Sequence, residues 1–143
     1  MADQTVYYNH QFSGLGSAGA YQVSGYPYIT GSTALANSAE DHIRFPGVTK
    51  SITVMNRLSG SGDAPDIRVH FASTTDSGVV GGRHFITLTA NKDSMTMNVK
   101  CTDLYISRSD PTAGNAAYTV FAEITGITKE QMFPLTGSGI TEQ

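Results

Sequence analysis

The chain has 143 residues, of which 39% are apolar and only 15% charged, with a net charge of −3 and a pI near 5.7. That is the size of one domain with one core; the apolar share excludes wholesale disorder, and the acidic balance argues against a nucleic-acid surface. A lone cysteine, Cys101, rules out an intrachain disulfide, and no apolar run approaches the roughly 20 residues that cross a bilayer.

Residues 1–40 are rich in Gly, Ala, Ser and Tyr, and their only charged side chains are Asp3 and Glu40. The opening MADQTVYYNH has neither a basic n-region nor an apolar h-region, so we expect no signal peptide and a protein made in a cytoplasm. No sustained period runs through this segment. Its aromatic residues gain by covering something rather than facing water. We therefore expect an extended arm that packs on its own domain or on a neighbour, with Tyr7, Tyr8, Phe12, Tyr21, Tyr26 and Tyr28 as its contact residues.

Within that arm, GLGSAG at 14–19 fits Gly-x-Gly-x-x-Gly, with Glu40 about twenty residues on. A dinucleotide loop needs a buried strand before it and a helix after it. Here YYNHQFS precedes it, while Ser24, Gly25 and Pro27 would stop any helix that follows. The expectation is no nucleotide and no cofactor.

From Arg44 onward the period is two. KSITVMN sets Ile52 and Val54 against Thr53 and Met55, and DIRVHF sets Ile67, Val69 and Phe71 against Arg68 and His70. HFITLTA follows, and SMTMNVKC then aligns Met95, Met97, Val99 and Cys101. After the short DLYIS, AYTVFAEI aligns Tyr118, Val120, Ala122 and Ile124. These are half-buried strands, separated by the turn-forming SGSGDAPD, TDSGVVGG, ANKD and RSDPTAGN. TKEQMF carries the spacing of a capping box, Thr128 with Gln131, and Pro134 ends it within about two turns. The tail TGSGITEQ reads as a loose end. The predicted fold is all-β: one antiparallel, jelly-roll-like β-sandwich over 41–143, an extended arm over 1–40, and one short helical turn near the C-terminus.

Chemistry-bearing patterns are sparse. His10, His42, His70 and His84 stand singly, without the spacing that brings two imidazoles to one metal. His70 falls on the polar face of its strand and is expected in solvent. Asp63 and Asp66 are too few for a calcium loop. No Gly-x-Ser-x-Gly occurs, and Cys101 lies in phase with apolar side chains, where a thiol is inert. The expectation is no catalytic residue and no metal.

RFPGVTKSITVMN, IRVHF, HFITLTANKDSMTMNVKCTDLYIS and AYTVFAEITGI, spanning roughly 45–127, resemble small β-sandwich structural proteins of tailed-bacteriophage virions, of the kind that decorate or cement the capsid exterior. The resemblance is one of strand and loop style, without a diagnostic motif. It implies a non-enzymatic protein on the virion exterior, made in the host cytoplasm and displayed in many copies. It also implies contacts to the major capsid protein or other virion subunits and to itself, with a trimer favoured, and neither nucleic acid nor membrane as partner. The alternative is a carbohydrate- or receptor-binding module of a phage tail or fibre, although sugar platforms favour Trp and this chain has none. A hydrolytic virion enzyme ranks last.

Overall fold

Most of the alternating segments are strands, and the described residues form eight in all. The structure is a computed structural model that describes residues 25–57, 65–73, 84–89, 92–108 and 114–133. GLGSAG, the tail from 134, and most of the predicted turns lie outside the described residues. The strands are β1 (Tyr26–Leu35), β2 (Glu40–Arg44), β3 (Thr49–Arg57), β4 (Ile67–His70), β5 (Ile86–Leu88), β6 (Ser94–Met97), β7 (Asp103–Ser107) and β8 (Ala116–Ile124). They form two antiparallel four-stranded sheets, in the orders β1-β8-β3-β6 and β2-β7-β4-β5.

The pairing follows one rule. β4 pairs with β5, β3 with β6, β2 with β7 and β1 with β8, so the chain is a set of nested antiparallel pairs. Two further ladders, β3 with β8 and β4 with β7, join alternate pairs into sheets. Inward side chains of both sheets meet in one apolar cluster. Ile52, Val54, Val120 and Ala122 come from the first sheet, and Ile43, Ile67, Leu104 and Ile106 from the second.

Polar ties also cross between the sheets. The Tyr118 hydroxyl on β8 donates to Asp41 Oδ2 on β2 at 2.6 Å. Asn56, fully buried at the end of β3, donates through Nδ2 to the carbonyls of Pro65 and Leu88, both at 2.9 Å. Burial and the bond to Asp41 together push the Tyr118 phenol well above its ordinary range.

Two sequence expectations are corrected here. The first is the boundary at residue 40. Tyr26–Leu35 is a strand hydrogen-bonded to β8 in nearly continuous register from Tyr26↔Ile124 to Ser32↔Tyr118, and Leu35 is 1% exposed in the core. Glu40 opens β2. The first sheet therefore starts at Tyr26, inside the segment read as arm. The reason lies in the partner: β8 offers a full ladder of backbone groups, and backbone pairing does not require its neighbour to be apolar.

The second is the capping box. Lys129–Gln131 is a single 3-10 turn, and the Thr128 side chain makes no capping bond. The turn is closed instead by the backbone, with Gln131 N–H donating to Thr128 C=O at 3.1 Å. No helix among the described residues is long and apolar enough to cross a membrane.

Candidate interaction surface

The two outward faces differ sharply in chemistry. On the first sheet, the residues alternating with the core set are Pro27, Ile29, Gly31 and Thr33 on β1 and Ala117, Thr119, Phe121 and Glu123 on β8. β3 adds Ser51, Thr53, Met55 and Arg57. Register places Ile29 beside Phe121, and Phe121 beside Thr53, which lies opposite Thr96 on β6. Ile29 is 69% exposed and Phe121 37%. Two large apolar side chains thus stand together in water, flanked by small residues and by Thr53 and Thr96, whose hydroxyls bond to each other at 2.9 Å. The charged side chains at this face among the described residues are Arg57 and the Lys50–Glu123 pair, whose charged atoms are 3.7 Å apart. Such a patch gains about 25 cal/mol for every Å² of apolar surface that a partner covers.

The second sheet turns a polar, ring-bearing face outward. Glu40↔Ser107, His42↔Tyr105 and Arg44↔Asp103 are ladder pairs across β2 and β7, and His70↔Tyr105 is one across β4 and β7. The three rings therefore line up across the strands. His42 stacks on Tyr105 with centroids 4.3 Å apart, and His70 lies on its other side at 5.9 Å. His42 Nε2 bonds Asp103 Oδ1 at 2.8 Å. Burial works to raise the Asp103 carboxyl, but hydrogen bonds from Thr102 and His42, with the charges of His42 and Lys129, outweigh it and hold the group below the ordinary carboxylate range. Burial pushes the Tyr105 phenol up, helped by the charges of Asp103 and Glu40. Nearby, the Arg68 guanidinium sits 4.4 Å over the Phe85 ring.

His70 contradicts the solvent-exposed reading: it is 1% exposed. It stands on the outward side of β4, but the chain bends just after it, with Nδ1 2.6 Å from the Ala72 carbonyl. A carbonyl only accepts, so Nδ1 carries the proton. In the neutral ring Nε2 then accepts from the Ser107 hydroxyl at 2.8 Å. Burial lowers the His70 pKa, opposed by the bond to Ala72 and the charge of Glu40. Glu40 Oε2 lies 4.0 Å from Nε2, a contact that becomes an ion pair only on protonation, and Glu40 Oε1 is held by Ser73 at 2.8 Å. Ser107, His70 and a carbonyl have the connectivity of an activated hydroxyl. With Ser107 only 5% exposed and His70 only 1%, the set locks β4 to β7 and offers no open approach to the hydroxyl.

Of the expected contact residues, Tyr7, Tyr8, Phe12 and Tyr21 lie outside the described residues. Tyr26 is 59% exposed on β1. Tyr28 meets Phe45 edge-on at 5.4 Å and packs against the core. His10 and Asp63 also lie outside the described residues, and His84 and Asp66 are half-buried. Among the described residues no group of three or more His, Cys, Asp or Glu is placed to hold a metal. Cys101 is 1% exposed, as its phase with Met95, Met97 and Val99 requires. Burial pushes its thiol up to about 11, against a hydrogen bond shared with the Thr49 hydroxyl.

Sequence reading missed the pairing of Ile29 with Phe121 and the His42–Tyr105–His70 row. The residues of each set are far apart in the chain, and only register joins them. Family models, curated proteins and solved structures give no match to this chain.

Proposed function

We propose that this is a non-enzymatic structural protein of a bacteriophage virion, decorating or cementing the capsid exterior through many copies of one surface contact. The observation that carries the reading is the outward face of the first sheet, where Ile29 and Phe121 stand exposed side by side in a nearly uncharged surround. A face of this kind works by shape and apolar cover, and repetition over many copies supplies avidity without strong single contacts. The strand orders support a jelly-roll sandwich: a long hairpin with four strands in each arm takes up 1-8-3-6 and 2-7-4-5 when it rolls into two sheets. Jelly rolls serve as capsid domains and as lectin domains, and the resemblance in strand and loop style favours the virion. The assembly of this reading is a homo-oligomer with a trimer favoured.

The lectin-like alternative, a sugar-binding module of a tail or fibre, needs an aromatic ring with a free face. Tyr105, the most central ring on the polar sheet, has the His42 ring stacked on it at 4.3 Å and the nearly parallel His70 ring at 5.9 Å. That counts against a sugar platform there.

Co-sedimentation with particles stripped of this protein tests the proposal. The wild type should pellet with the particle. Ile29→Lys and Phe121→Lys should stay in the supernatant while keeping the wild-type circular dichroism. Undiminished pelleting of both variants, or selective binding on a glycan array with no affinity for the particle, would overturn it.

A further inference from the structure

The outward face of the first sheet carries two neighbouring rows of opposite relief. Across β1, β8 and β3, one row holds Ile29, Phe121 and Thr53, and the next, two residues along each strand, holds Gly31, Thr119 and Met55. At Gly31 the surface falls into a groove of about 510 Å³, lined by residues 31–34 of β1, Arg57 of β3 and residues 117–119 of β8. It lies where β1 bulges: Ser32 pairs with Tyr118 and Leu35 with Ala116, so Thr33 and Ala34 together face the single residue Ala117. The backbone fixes this hollow. A Cβ at Gly31 would come within 2.5 Å of the Tyr118 carbonyl oxygen, so no side chain fits there without moving backbone.

Two such rows fit a copy of themselves. A two-fold axis between facing sheets, perpendicular to the strands and level with Thr30 and Val120, sets each row against the other row of the second copy. Ile29 of one copy then lies over Gly31 of the other, Phe121 over Thr119, and Met55 over Thr53. In every facing pair a larger side chain meets a smaller one, and the symmetry makes each contact twice. The outer rows follow the same rule. Arg57 lies beside Ala117, one row past the hollow, and Glu123 beside Ser51, one row past Ile29 and Phe121. Arg57 Nη1 donates to the Thr119 hydroxyl at 3.3 Å, which brings the guanidinium over β8, the strand of Glu123. The axis therefore turns Arg57 of each copy toward Glu123 of the other, a carboxylate that Lys50 approaches at 3.7 Å. Within one copy Ala117 and Glu123 are separated along β8 by about 20 Å of extended chain, so this charge contact is made only between chains. The face offers a flat area of roughly 400 Å² per copy, and a pair of that size is weak. Weak pairing suits copies that a particle holds close together.

We propose that the apolar face of the first sheet pairs with the same face of a second copy about this two-fold axis. Ile29 and Phe121 of each copy fill the hollow over Gly31 and Thr119 of the other, and Arg57 meets Glu123 at both ends. The inference rests on the many-copy reading and names a sister copy as the occupant of its contact face. A two-fold contact is distinct from the three-fold contact within a trimer, so it links one oligomer to the next.

The test uses the purified full chain with no particle present. In sedimentation equilibrium the average mass of the wild type should rise with concentration toward about 1 mM, the range of a weak contact. Phe121→Lys should abolish that rise while keeping the wild-type circular dichroism. Arg57→Glu sets two carboxylates together at each end of the pair, and Glu123→Arg sets two guanidinium groups together, so each variant alone should associate less than the wild type. In an equimolar mixture, a pair made of one chain of each kind again sets opposite charges together at both ends. The mixture should therefore associate at least about tenfold more tightly than either variant alone. A mass that stays constant over the whole range, a rise indifferent to Phe121→Lys, or a mixture no tighter than its components would each overturn the proposal. If the free chain does not pair but Phe121→Lys still loses the particle in co-sedimentation, a capsid subunit covers the face. That result sinks the pairing and leaves the proposed function standing.

Discussion

Replacing Asn56 should show how much of the stability rests on one buried amide. Its Nδ2 satisfies two carbonyls, Pro65 ahead of β4 and Leu88 at the end of β5, so a single side chain on the first sheet closes the end of the second. The orientation is dictated by its partners, because the opposite flip would set an amide oxygen against two carbonyl oxygens. In Asn56→Ala both carbonyls lose their donor inside the protein, at about 1 to 3 kcal/mol each. Part of that is returned, because Asn56 Oδ1 is itself buried without a partner among the described residues and leaves with the side chain. The expected net loss is about 2 to 4 kcal/mol, or on the order of 10 °C in Tm for a chain of this size.

Asn56→Asp keeps the shape but offers only acceptors to two acceptors, so at neutral pH it should cost more than Asn56→Ala. Burial beside two carbonyl oxygens raises the folded pKa of the new carboxyl above its unfolded value of about 3.9. The folded state then binds the proton more readily than the unfolded one. The deficit relative to wild type must therefore shrink as pH falls through that folded value. Urea unfolding followed by far-UV circular dichroism at a series of pH values reads both effects. Stabilities of the two variants within about 0.5 kcal/mol of wild type, the range of an ordinary surface change, would refute the reasoning.

His70 has a folded pKa below its unfolded value, so the stability it contributes is fully present above pH 6.5 and is lost as pH falls below that point. Urea midpoints should drop between neutral and mildly acidic pH in the wild type, and His70→Gln should flatten that slope. Cys101, buried and with its thiol raised to about 11, should react slowly with a thiol reagent in native buffer and quickly in denaturant. Cys101→Ala should cost about 1 to 2 kcal/mol. Deleting residues 1–40 removes β1, Leu35 and the start of β2, and with them the whole outer ladder on β8. The truncated chain should lose its cooperative unfolding transition, whereas survival of a native β spectrum would show that the sheet stands without β1.

The fold class and most of the core were legible in the sequence because a strand buried on one face must alternate. Ile52 and Val54, Ile67 and Val69, and Val120, Ala122 and Ile124 obey that rule and all lie in the core. Cys101 could be placed by phase alone. β1 and β2 escaped because their strand character is lent by partners: YPYITGSTAL has Pro27 near its start and Gly31 in its middle, and EDHIR has one buried residue, Ile43. Each is held by backbone bonds to β8 or β7, which leave no mark in the pattern of side chains. The same cause hid the burial of His70, since period two assigns it an outward side but cannot foresee its contacts with Ala72 and Ser107. Composition and local period are properties of neighbours in the chain, and they determined which residues turn inward. Which outward residues meet, Ile29 with Phe121, His42 with Tyr105 and His70, Arg57 with the bulge of β1, was decided by register between strands up to about ninety residues apart. Only the tertiary structure holds that information.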